Sequence, residues 1–246
     1  MNAESARQLR LLDLQAIDTR LDQIAHARVH LPQLAELADL ENKARLIDDQ
    51  LVRSRTELDD IQREVAKAEA DVQLVRDRAA RDQARLDAGT GTAKDLQAIQ
   101  HELGSLARRQ AELEDLELEV MERAESAESD VAELERGRGE LTARIDALRA
   151  ARDEALARLD AEAADVGAPR SAAVDEVGAD LVALYEKIRA SSGGTGAAAL
   201  RQRRCGGCQL ELNPVELQRL RLAPEDEVLR CEECRRILVR TPESGL

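Results

Sequence analysis

The chain has 246 residues, with 36 Lys and Arg against 50 Asp and Glu, a formal net charge of -14, no Trp, no Phe and a single Tyr, Tyr185. Charged residues make up 35% of it and the apolar part is mostly Ala, Leu and Val, a mix that suits a narrow seam between helices and not the thick aromatic core of an ordinary globular enzyme. A molecule this acidic should repel nucleic acid and anionic lipid as a whole, and no run approaches the ~18 apolar residues of a membrane span.

Residues 1–10 are polar and lead into a heptad pattern, so no signal peptide is expected and the protein is placed in the cytoplasm. Leu14, Ile17, Leu21, Ile24, Arg28 and Leu31 step alternately by three and four, which predicts a helix. Pro32 interrupts it with a kink or short break. The pattern then resumes at Leu37, Leu40, Ala44, Ile47, Leu51, Ser54, Leu58, Ile61, Val65, Ala68, Val72, Val75, Ala79, Asp82 and Leu86. An unbroken heptad run of this length marks a coiled coil.

Gly89-Thr90-Gly91-Thr92 ends that helix, and Thr92 with Asp95 three residues on is a weak capping box for the next. The same stretch lacks the Gly-Lys-Ser/Thr of a phosphate loop, because Lys94 follows Ala93. A second seam runs through Leu96, Ile99, Leu103, Leu106, Gln110, Leu113, Glu117, Val120, Ala124, Ala127, Val131, Leu134, Arg138, Leu141, Ile145, Leu148, Arg152, Ala155 and Leu159. Two such helices joined by a short turn near 87–94 should fold back as an antiparallel coiled-coil hairpin. Gln110, Glu117, Arg138 and Arg152 are read as polar layers that fix its register. Beyond Gly167 and Pro169, Val174, Val177, Leu181, Leu184 and Ile188 predict a third helix over 171–190. Residues 191–196, Ser-Ser-Gly-Gly-Thr-Gly, read as a flexible joint between this 1–190 domain and a second at 197–246.

The second domain carries the chemistry. Cys205-Gly-Gly-Cys208 and Cys231-Glu-Glu-Cys234 are two CxxC knuckles with 22 residues between them. In a reducing compartment paired CxxC motifs favour metal over disulfide, and four thiolates suit one tetrahedral Zn2+. Four protein ligands leave no open position for water, so the zinc is structural. It should supply on the order of 10 kcal/mol to a domain too small to hold itself together by its own core. Asn213-Pro214 begins a short helix through Val215, Leu217 and Leu220, and 228–230 and 236–240 read as strands. The expected fold is therefore mainly α, a long helical hairpin with a short helix, followed by a small C-terminal β zinc ribbon.

These pieces resemble the bacterial C4-type zinc-ribbon proteins with a long N-terminal coiled-coil hairpin, a family that includes flagellar-regulator and chlamydial sigma-54-associated members. Lys94-Asp95-Leu96-Gln97-Ala98-Ile99-Gln100-His101-Glu102-Leu103 is similar to the family's ELxALxxEI stretch. Leu184-Tyr185-Glu186-Lys187-Ile188-Arg189 matches before the joint, and the ribbon ends CxxCxRIL at Cys231, Cys234, Arg236, Ile237 and Leu238. Arg235 departs from the pattern where the family usually has Gly, a position that often wants a left-handed backbone. The resemblance implies a non-enzymatic binding protein, since characterised relatives bind regulatory or secretion proteins and one is linked to messenger RNA. Heavy use of Arg and Ala hints at a high-GC, actinobacterial source, to which flagellar and sigma-54 partners would not transfer.

Three functional readings follow. The first is a zinc-binding regulatory adaptor, docking a protein partner through ribbon and hairpin, with no small-molecule substrate and no membrane. The second is an RNA- or DNA-binding regulator using Arg201, Arg203, Arg204, Arg219, Arg221, Arg230, Arg235, Arg236 and Arg240, although no aromatic platform exists for base stacking. The third is a hairpin factor of RNA polymerase, with Asp87, Lys94 and Asp95 as tip contacts. His26 and His30 share a helix face without a third ligand, and no catalytic Ser-His-Asp set or convergent carboxylate pair can be assembled.

Overall fold

The computed structural model describes residues 1–246. Six helices and four short strands follow one another: α1 Ser5–Val29, α2 Pro32–Asp87, α3 Ala93–Gly167, α4 Arg170–Val177, α5 Ala179–Ser191, β1 Ala197–Arg201, β2 Arg204–Cys205, α6 Pro214–Leu222, β3 Leu229–Arg230 and β4 Ile237–Val239. Two compact units result, residues 35–149 and residues 1–34 with 150–246.

Within 35–149, α2 and α3 run antiparallel, with Glu36 against Arg144 at 2.6 Å and Arg78 against Glu102 at 2.7 Å. Leu37, Leu40, Ala44 and Ile145 form a core cluster flanked by Leu141 and Leu148. Leu51, Ile61 and Val72 of α2 and Leu106, Leu113 and Val131 of α3 extend the buried seam. Every seam position predicted in this unit is buried or half-buried. Arg138 interrupts the seam but donates across it to Asp48 at 2.6 Å, so the polar layer has its partner on the facing helix. Further exposed pairs cross between the helices, Glu41–Arg149, Arg55–Glu135, Glu64–Arg123 and Arg76–Glu114. Exposed pairs of this kind contribute little to stability, so they select register more than they stabilise. At the turn Gly89 and Gly91 hold φ of 62° and 134°. The Asp95 carboxylate accepts from the Thr92 N–H at 2.9 Å, and the Asp95 N–H donates back to the Thr92 hydroxyl oxygen at 3.3 Å. That is the expected capping box.

In the other unit α1 ends at Val29 and α2 starts at Pro32, the expected break. The third helix expected over 171–190 is two helices, α4 and α5. Gly178 separates them at φ 86°, and the Arg7 Nε donates to the Val177 carbonyl at 2.7 Å beside it. Leu11, Leu14, Val177, Leu181, Tyr185 and Ile188 form the helical half of one core, and Ala197, Ile237 and Val239 from the ribbon complete it. Asp18, 2% exposed, lies at its edge. It accepts from the Tyr185 hydroxyl at 2.8 Å and from Arg170 at 2.7 Å. Burial and the neighbouring Asp18 push the Tyr185 phenol well above its usual range, and hydrogen bonding to Asp18 keeps Arg170 charged.

The four-stranded sheet has order β2-β1-β4-β3, with β1 parallel to β4 (Ala197 beside Ile237) and β3 antiparallel to β4 (Leu229 beside Leu238). A run of three Ala favours helix on propensity. Here small side chains let the strand lie close against the helices, and tertiary contact overrides the local preference. The segment expected to be a flexible joint is instead tied down. Gln15 of α1 donates to the Gly194 carbonyl at 3.1 Å and accepts from the Gly196 N–H at 2.7 Å and the Ala197 N–H at 3.2 Å. A Cβ on Gly196 would fall 2.6 Å from Tyr185, so only Gly lets the chain pass there. The chain's first residues pair with the ribbon too: the Ala3 N–H donates to the Asp226 carbonyl at 2.7 Å and the Val228 N–H to the Met1 carbonyl at 3.0 Å. No helix is long and apolar enough to cross a membrane.

Candidate metal centre

The two CxxC knuckles have the same backbone design. In the first, the Cys205 N–H donates to the Leu210 carbonyl at 3.0 Å and the Gln209 N–H to the Cys205 carbonyl at 2.8 Å. In the second, the Cys231 N–H donates to the Arg236 carbonyl at 3.0 Å and the Arg235 N–H to the Cys231 carbonyl at 3.0 Å. The residue after each second cysteine is left-handed, Gln209 at φ 63° and Arg235 at φ 62°. The expectation for Arg235 therefore holds, and Gln209 shares it unanticipated. A non-Gly residue in this region costs roughly 1 kcal/mol, which the knuckle must offset. Gly206 is required by space, since a Cβ there would sit 2.9 Å from the Ala199 carbonyl oxygen.

All four Sγ atoms lie within 4.8 Å of one another, with Cys205–Cys234 at 3.7 Å and Cys208–Cys231 at 3.9 Å. Four thiolates about 2.3 Å from a central Zn2+ stand about 3.8 Å apart on the edges of a tetrahedron, so the set fits the ion. These separations far exceed the ~2.05 Å of a disulfide, and all four cysteines are free. Without metal, burial pushes the Cys231 thiol up to about 12 and raises Cys205 as well. Burial acts the same way on Cys234, but hydrogen bonds from the Arg236 N–H and the neighbouring thiols outweigh it and bring that thiol below its usual value. The site is thus one where metal replaces protons. Its ligands occupy every tetrahedral position, so what it supplies is folding and not a reactive water.

α6 supports the second knuckle. Asn213 caps it, accepting from the Glu216 N–H at 2.8 Å, and the buried Glu216 carboxylate accepts from the Glu232 N–H at 3.1 Å. Glu216 was not singled out by the sequence. Its signal is an acid at the third position of a capped helix, which equally describes an ordinary first turn.

The nine arginines separate into two groups. Arg236 and Arg240 are half-buried and their guanidinium groups are engaged within the fold. Arg236 donates to the Ser192, Thr195 and Gly207 carbonyls, and Arg240 to those of Ala223, Pro224 and Glu227. The other seven are exposed. Arg201, Arg204 and Arg219 have an acid within reach, Glu243 at 3.5 Å, Glu211 at 3.9 Å and Glu232 at 3.4 Å. Arg203 and Arg230 reach backbone carbonyls, of Gly245 and Arg235. Arg221 and Arg235 have no acidic partner within 4.0 Å. At the hairpin turn Lys94 is exposed, Asp87 accepts from Gln83 at 2.8 Å, and Asp95 is engaged by Thr92.

A helical hairpin carrying a closed four-cysteine ribbon defines a coiled-coil zinc-ribbon protein. Family models agree piece by piece: residues 14–193 match the CT398-like coiled coil hairpin domain, and residues 204–238 match the C4-type zinc ribbon domain. The chain belongs to the CT398-like coiled-coil hairpin family. It is 39% identical over 240 residues to the protein named Rv2229c of Mycobacterium tuberculosis H37Rv, covering 98% of both chains. It is 31% identical to ML1638 of Mycobacterium leprae, covering 94% of this chain and 95% of that one. A solved Mycobacterium smegmatis structure superimposes with a TM-score of 0.86 at 39% identity, over 98% of this chain and all of that one. CT398 of Chlamydia trachomatis shares the fold with a TM-score of 0.68 at 17% identity, over 96% and 98% of the two chains.

Proposed function

We propose that this zinc-binding protein is a non-enzymatic adaptor in the cytoplasm that docks a protein partner through its ribbon. The carrying observation is the outward face of α6. Val215 and Leu222, seven residues apart, are 79% and 76% exposed, with Arg219 between them. Apolar side chains this exposed on a metal-stiffened helix suit a protein surface more than phosphates. A metal held by all four cysteines has no open position for a reacting water, which supports the non-enzymatic reading. The test is affinity capture with the full chain and with V215S/L222S, with and without nuclease. A partner retained after nuclease and lost with the variant is expected. Equal capture by both forms removes α6 as the docking face.

The seven exposed arginines support a second reading, RNA or DNA binding by the ribbon. Affinity would then fall steeply between 50 and 200 mM salt, with a log–log slope of roughly -0.7 to -0.9 per phosphate neutralised. A flat salt profile rules this out. The polymerase reading loses ground, because Asp95 serves its own helix.

A further inference from the structure

We infer that Arg236 couples the metal site to the helices beneath it, so that metal occupancy decides whether the ribbon covers their apolar face. The backbone of Arg236 belongs to the second knuckle, where its carbonyl accepts from the Cys231 N–H. Its side chain reaches out of that knuckle in three directions. Nη1 donates to the Gly207 carbonyl in the first knuckle at 3.1 Å. Nε donates to the Thr195 carbonyl at 3.1 Å and Nη2 to the Ser192 carbonyl at 2.8 Å, both in the segment that leaves α5. A Cβ on Gly207 would lie 2.7 Å from the Arg236 Cδ, so the first knuckle also walls the side chain in.

The linkage continues past Arg236 without a gap. The next residue, Ile237, donates its N–H to the Gly196 carbonyl at 2.9 Å. Gly196 and Ala197 donate to the Gln15 side chain of α1. Ile237 itself is fully buried in the core that includes Leu11, Leu14 and Tyr185. One guanidinium thus joins both metal-holding turns to the only chain connection between α5 and β1.

Planar guanidinium donors satisfy several carbonyls only when those carbonyls are held in place. Here the carbonyl of Gly207 is placed by the first knuckle and the guanidinium by the second. Both knuckles contain a left-handed non-Gly residue and depend on metal ligation to persist. When the thiols lose the metal, Arg236 loses its fixed geometry, and Ala197, Ile237 and Val239 lose their register on the helices. An apolar face around Leu11, Leu14, Tyr185 and Ile188 is then uncovered. This makes the ribbon a metal-dependent cover, a property separate from docking at α6.

Amide exchange on the full-length chain by NMR tests this, with the wild type zinc-loaded, the wild type stripped by chelator under reductant, and R236A zinc-loaded. Stripping should speed exchange at Gly196, Ala197 and Ile237 about 100-fold and increase binding of an apolar dye. R236A holding one zinc per chain should speed the same amides about tenfold, while the Cys205 and Cys231 amides stay protected. Unchanged exchange at Gly196 and Ala197 after stripping overturns the inference. So does R236A exchange that matches the wild type. Failure of R236A to bind zinc also overturns it, since Arg236 would then belong to the metal site and not to a link beyond it.

Discussion

Arg235 holds φ at 62° in a turn that a glycine would adopt without strain. Arg235→Gly should therefore stabilise the zinc-bound ribbon by up to about 1 kcal/mol, less the entropy glycine loses on folding. A thermal melt under saturating zinc checks it, and a lower midpoint would mean that the Arg235 side chain contributes something its exposure conceals. The cysteines set a pH dependence. In the metal-free fold Cys231 stays protonated up to about 12 and Cys205 is raised as well, so both carry protons at neutral pH. Raised values alone would favour the metal-free fold at low pH and weaken it as pH rises through them. Zinc reverses this sign, because it binds thiolates and displaces those protons. With at least two protons released, zinc affinity should fall at least about 100-fold per unit as pH drops from 8 to 6. Competition titration with a chelator of known affinity reads the slope, and a slope below one proton per zinc contradicts the buried thiols. The four ligands were legible because CxxC spacing is itself a metal geometry. The roles of Arg236 and Arg240 were not, since an arginine that clamps carbonyls and one that meets solvent look alike in a sequence.

At the scale of elements, the two-helix seam was readable position by position, because burial in a coiled coil repeats with the heptad and few residues lie outside the rule. The break between α4 and α5 was hidden for the same reason. Val174, Val177, Leu181 and Ile188 keep helical spacing straight across Gly178. Only the φ of 86° and the nearby Arg7 guanidinium reveal the interruption. Gly178→Ala should cost about 1–3 kcal/mol, since it is strained there and displaces Arg7 from the Val177 carbonyl. Denaturant unfolding measures it; a neutral result would mean that the two helices can merge into one. The hairpin turn responds to acid. Hydrogen bonds from Thr92 hold the Asp95 carboxyl below the usual carboxylate range. Its capping contribution is present above about pH 4 and is lost as pH falls through that lowered value. Relative to the intrinsic rate at each pH, protection of the Thr92 and Asp95 amides should fall in acid before that of the seam residues, and a simultaneous fall would remove Asp95 as the cap.

For the whole molecule, the boundary drawn from composition at 191–196 and the boundaries drawn by packing do not coincide. Glycines and serines suggested freedom, yet Gln15, Tyr185 and Arg236 use those small residues for close approach. The compact unit that contains the ribbon draws on residues 1–34 and 150–246, and the other on 35–149. Chelation should therefore raise exchange in 1–34 and 150–246 and leave the central seam of 35–149 unchanged. Uniform loss of protection would show a single cooperative unit.

The pairing of Ala3 with Asp226, and of Asn2 with the same residue 224 positions away, has a consequence for biosynthesis. Asn2 leaves the ribosome 224 residues before its partner Asp226. At ~5–20 residues per second that delay is about 10–45 s. During it, the start of α1 is without its cover and open to chaperones, and an affinity tag fused ahead of Met1 would sit where this closure must occur.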